Sequence, residues 1–86
     1  QADYLEVELN RKRLELALAL DSKMTVCENL ERSVTNLKVI YDASMDLYRS
    51  GKIAFRELDE LFMEWQTEIL KFEASKFELM KLKLVR

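Results

Sequence analysis

Gly51 is the only glycine in the 86 residues, and the chain has no proline. Nothing interrupts a helix before that point or after it. Glycine just past a helix end takes the left-handed conformation without a Cβ clash, and so lets the last carbonyls be satisfied. If the chain reverses, it reverses at Ser50-Gly51. The expectation is one all-α unit over residues 1–86, a long antiparallel two-helix coiled-coil hairpin. Its helices run from about 3 to 49 and from about 54 to 85, with a turn at 50–53.

Apolar spacing supports this. The first helix carries a stripe at steps of three and four: Leu20, Met24, Cys27, Leu30, Val34, Leu37, Tyr41, Met45 and Tyr48, with two irregular steps. The second carries Phe55, Leu58, Phe62, Trp65, Ile69, Phe72 and Leu79, broken only at Lys76. Folding about Gly51 sets residues whose numbers add to about 102 opposite one another, given equal rise in both helices. Tyr48 then faces Phe55, Tyr41 faces Phe62, Leu37 faces Trp65, Val34 faces Ile69, Leu30 faces Phe72 and Met24 faces Leu79. Lys76 lands near Cys27, where its charge would have to snorkel.

Each helix also has a second apolar row. Met63, Leu70, Phe77 and Leu84 recur every seven residues, about 100° around from the row of Phe62 and Ile69. In the first helix the corresponding row is Val26, Ser33, Ile40 and Leu47. Two rows suit a helix with neighbours on both sides. The arms are unequal, because the second helix reaches back only to about Leu16. Tyr4, Leu5, Val7 and Leu9 therefore call for cover from elsewhere.

Composition narrows the chemistry. Basic and acidic residues number 14 and 16, leaving a formal charge of −2. That balance gives no electrostatic reason to expect nucleic acid or an anionic membrane. The chain has no histidine, which excludes a histidine base or a His-containing zinc site. Its single cysteine, Cys27, cannot form an internal disulfide and reads as a small buried apolar residue. A two-helix hairpin offers no cleft for paired carboxylates, so the chain is not expected to be an enzyme or to carry a cofactor. It starts and stops in mid-pattern, as a piece of a longer protein would.

The turn carries a resemblance. Tyr48-x-x-Gly51, with Glu57-Leu58 at the start of the next helix, resembles the hairpin of TolC-like outer-membrane efflux factors. In that family the pattern Tyr-x-x-Gly-x-x-Ser/Thr-x-x-Asp/Glu-Leu/Val marks the periplasmic tip of a long α-helical barrel. Tyr48, Gly51, Glu57 and Leu58 match it. Ala54 departs from the Ser/Thr position, and Ile53 stands where some members have an arginine that ties the closed tip. Asp59 and Leu61 stand where leucine and alanine are common. The resemblance implies that this is the periplasmic part of an outer-membrane channel for efflux or type I secretion. Its partners would be neighbouring protomers of a trimer and a periplasmic adaptor, or membrane fusion, protein. The docking residues would be Tyr48, Arg49, Ser50, Gly51, Lys52, Ile53 and Ala54. The hairpin core would be Leu30, Val34, Leu37, Tyr41, Phe55, Leu58, Phe62, Trp65, Ile69 and Phe72. No direct membrane contact is implied for these residues. A second expectation, independent of the resemblance, is an intracellular coiled-coil scaffold or oligomerisation module.

Overall fold

Alanine, leucine, glutamate and lysine dominate the first half of the chain and lose little on entering a helix. In the computed structural model, which describes residues 2–84, they form α1, Ala2–Arg49. The second helix, α2, is Phe55–Leu84. The two lie antiparallel as a rod 74 Å long and 14 Å across. Both helix ends at the turn fall within one residue of the expected positions. The expected end of the second helix at residue 85 lies outside the described residues.

The reversal is a Schellman motif. Lys52 N–H donates to the Leu47 carbonyl at 2.9 Å, and Gly51 N–H to the Tyr48 carbonyl at 2.9 Å. These bonds satisfy carbonyls that the end of α1 would otherwise leave open. They require a left-handed residue at position 51, and Gly51 supplies it with φ of 77°. The Ser50 hydroxyl adds bonds to the carbonyls of Asp46 and Leu47, each at 3.1 Å.

Beyond the turn, the Ala54 carbonyl accepts from Glu57 N–H at 3.1 Å, so Ala54 is the N-cap of α2. Its methyl group cannot cap an amide, while Glu57 stands at the position that completes a capping box. Ala54→Ser is therefore expected to stabilise the hairpin by about 0.5–1.5 kcal/mol, the typical worth of a serine cap. A thermal melt should move upward by several degrees. An unchanged melt would mean that the start of α2 does not limit stability.

The expected register holds at the turn and far from it. Tyr48 meets Phe55 with ring centroids 5.9 Å apart, and Tyr41 meets Phe62 at 5.7 Å. Near the open end, Lys23 Nζ donates to Glu78 at 2.7 Å, the one ion pair between the helices among the described residues. The hydrogen bond and charge of Lys23 hold the Glu78 carboxyl below the usual carboxylate range. The remaining ion pairs link residues three or four apart within one helix, as with Lys38 and Asp42 at 2.8 Å. Such exposed pairs support a helix by only about 0.3–0.5 kcal/mol each.

The phase of the seam differs from the expected one. On α2 the rows turned to α1 are Leu58, Trp65, Phe72 and Leu79, with Leu61, Glu68, Ser75 and Leu82 beside them. All eight are buried or half-buried, and their steps alternate strictly between three and four. Ile69 flanks this seam half-buried, while Phe62 sits at the rim. Ser75, not Lys76, takes the place expected at the level of Cys27, and it is only 7% exposed. Lys76 points outward, pairs with Glu73 at 2.9 Å and lies over the Phe72 ring.

On α1 the same regularity returns once Lys23 and Ser44 replace Met24 and Met45. The seam then reads Leu16, Leu20, Lys23, Cys27, Leu30, Val34, Leu37, Tyr41, Ser44 and Tyr48. Ser44 is buried, Met45 is half-buried beside it, and Met24 is exposed. The physical reason is size. Two helices approach closely where serine sits between them, and bulky side chains are displaced to the rim.

Little of the rod is shielded from water. Leu20 and Leu58 are the only large apolar side chains that count as buried among the described residues. The accessible surface is 6974 Å². A compact monomer of this mass would expose roughly 5,300 Å². Much of the excess lies along the second apolar rows and on the first arm, where Tyr4, Leu5, Val7 and Leu9 are exposed as expected.

Candidate docking site at the turn end

The turn projects a short run of side chains from a rigid end. Arg49, Ser50, Gly51, Lys52 and Ala54 are exposed, Tyr48 is partly so, and Ile53 is half-buried. The Schellman bonds fix the backbone that presents them. Two cations, Arg49 and Lys52, lie within this run. Acidic residues follow on α2 at Glu57, Asp59 and Glu60, of which Glu57 lies in the first turn, where the helix dipole favours it. Arg56 pairs with Glu60 at 3.6 Å, so it is already engaged on the helix surface.

Behind the turn the aromatic side chains form a ladder. Tyr41 stacks on Trp65 at 5.5 Å, Phe62 meets Trp65 edge-on at 6.2 Å, and Tyr48 meets Phe55 edge-on. Tyr41, Met45, Tyr48, Phe55, Leu58, Asp59 and Phe62 border an open, mostly apolar hollow there. Phe55, expected in the core, is 62% exposed and forms the outer wall of this hollow. Phe62 is likewise a rim residue. The other expected core residues, Leu30, Val34, Leu37, Tyr41, Leu58, Trp65, Ile69 and Phe72, are buried or half-buried.

The reading of the sequence missed Ser44, Leu61, Glu68, Ser75 and Leu82 as seam residues. Their seven-residue recurrence alongside Leu58, Trp65 and Leu79 was the available signal. Glu68 is tolerated in the seam because Lys71 reaches its carboxylate at 3.3 Å. The indole N–H of Trp65 and the hydroxyl of Ser75 are buried with no hydrogen-bond partner. These are unsatisfied groups in a packed seam, not chemistry-bearing ones.

Cys27 is a half-buried free thiol within the seam, less covered than the buried apolar residue expected there. Among the described residues no group of His, Cys, Asp or Glu side chains is placed to hold a metal ion. No described helix is long and apolar enough to cross a membrane. What the turn end can do is present a shaped surface: two cations, a fixed backbone corner and an aromatic hollow behind it. Compared with known proteins, the chain matches no family model, no curated protein and no solved structure.

Proposed function

We propose that the hairpin is one stave and the tip of a helical channel wall, of the kind found in TolC-like outer-membrane efflux or type I secretion channels. Its turn docks a periplasmic adaptor protein, and its outer rows pack on neighbouring staves of a trimer. The work of such a piece is conduction and gating, not catalysis.

The observation that carries this reading is the placement of the two apolar faces of α2. With 100° per residue, the row Met63, Leu70, Phe77 and Leu84 lies roughly 140° and 160° from the two seam rows. Those four side chains are exposed. A helix in a compact bundle gathers its apolar residues on one broad face toward the bundle axis. A helix in a wall needs two faces, nearly opposite. The α2 pattern is of the second kind, and the turn residues matching the family pattern sit at the end where such a wall is capped.

The test is a titration of the ¹⁵N-labelled chain with the coiled-coil hairpin of a periplasmic adaptor. Amide shifts confined to residues 48–54 and the flanking hollow are expected. Arg49→Glu with Lys52→Glu should abolish them while leaving helix content unchanged, since both side chains are exposed. Shifts spread along the rod, or none at all, would sink the docking reading.

A further inference from the structure

Near the turn, three residues on each helix share one face at the spacing i, i+4, i+7. They are Tyr41, Met45 and Tyr48 on α1, and Phe55, Asp59 and Phe62 on α2. All six border the hollow behind the turn. The antiparallel register sets ring against ring at both ends of this stretch, Tyr48 on Phe55 at 5.9 Å and Tyr41 on Phe62 at 5.7 Å. Asp59 stands between the two ring pairs, the one charged side chain on the hollow's border among the described residues. We propose that this hollow takes the guanidinium of an arginine carried by the partner that docks at the turn.

Helix spacing sets the geometry. Asp59 lies three residues from Phe62 and four from Phe55, about 4.5 and 6 Å of rise. A cation on its carboxylate is thus in reach of rings on both sides, since a ring face attracts a positive charge within about 6 Å. The chain makes the same combination of ring, carboxylate and cation for itself elsewhere on α2. Lys76 pairs with Glu73 at 2.9 Å and lies 4.6 Å from the centre of the Phe72 ring. At Asp59 no cation of the chain takes that part. Arg56 turns to Glu60 at 3.6 Å and Lys38 to Asp42 at 2.8 Å. No ion pair among the described residues includes Asp59.

Arginine fits this setting better than lysine. A planar guanidinium is more weakly hydrated than an ammonium, forks onto a carboxylate and lies flat against a ring. The hollow, about 290 Å³ and open to solvent, is at the small end for a ligand pocket and suits a single side chain. The inference rests on the docking reading for the source of the arginine. The contact it assigns is additional to those at the corner. Arg49 and Lys52 call for acidic groups on the partner, and Asp59 behind them calls for a basic one.

The probe is N-acetyl-arginine amide, with the neutral N-acetyl-citrulline amide as its control. Ring ¹H–¹³C signals of Tyr41, Tyr48, Phe55 and Phe62 are expected to shift and saturate with the arginine compound, and to stay in place with the citrulline one. Asp59→Asn should weaken binding about fivefold to tenfold with unchanged circular dichroism, since Asp59 is exposed. Phe55→Leu, which removes one exposed ring, should weaken it about twofold to fivefold. Equal shifts from both compounds, or none from either, overturn the proposal. So does arginine binding that Asp59→Asn leaves intact. Titration with the adaptor hairpin separates this proposal from the docking reading. A hairpin that docks equally well on the parent chain and on Asp59→Asn leaves docking standing and overturns the arginine site. Arginine binding that depends on Asp59, in a chain that the hairpin does not bind, supports the site and sinks docking alone.

Discussion

Gly51→Pro is expected to cost the hairpin about 3 kcal/mol or more, since proline fixes φ near −65° and has no amide hydrogen. The native φ is 77°, and the Gly51 amide donates to Tyr48. Both features of the Schellman motif are lost together, and Ser50 is pushed out of the helical region as the residue before a proline. Gly51→Ala is the informative companion. A Cβ at position 51 meets nothing within 4 Å. Its cost is then purely that of holding an L-residue in the left-handed region, about 1–2 kcal/mol. Urea unfolding of the three proteins should rank them glycine, alanine, proline. If alanine matched glycine, the left-handed turn would not be required in solution.

Leu58→Ala is expected to cost about 2–3 kcal/mol, the lower part of the range for buried leucines, because two helices leave a cavity that water reaches easily. Leu58 is the most buried apolar side chain among the described residues, at 4% exposure, and stands one turn into α2 beside the aromatic ladder. At about 4–8 °C per kcal/mol for a chain of this length, the melt should fall by roughly 10–20 °C. Leu70→Ala, on the opposite face, serves as the contrast. In dilute monomer it should change stability by less than about 0.5 kcal/mol. Equal effects at the two positions would mean that the seam has been assigned to the wrong face of α2.

That assignment is where the sequence was hardest to read. The turn was legible because a single glycine in a chain without proline leaves one place for a left-handed residue. The register was legible because a hairpin with a short turn has no freedom to slide, and Tyr48–Phe55 and Tyr41–Phe62 meet accordingly. The phase was not. Leu58, Trp65, Phe72 and Leu79 can be completed by either of two rows, and hydropathy favours Phe62 and Ile69 over Glu68 and Ser75. Packing chooses the other row, since close helix approach favours serine and leucine over phenylalanine, and Lys71 shields Glu68. At the turn itself, Gly51 and the uncapped Ala54 were readable from residue type. The outward position of Phe55 was not, because it stands on the row of Phe62 and Ile69, which spacing places on the stripe and packing leaves at the rim of the seam.

The rod shape has a mechanical consequence. Each pair of facing side chains leans only on the pairs just before and after it, with no third element to share strain. Such a structure opens as a zipper does, from its free end toward its closed one. The last contacts to part are those beside Gly51, where the Schellman bonds and the aromatic ladder are concentrated. Near Lys23 and Glu78 a single ion pair guards the open end. On that order of opening, the turn is the part of the rod that keeps its shape longest.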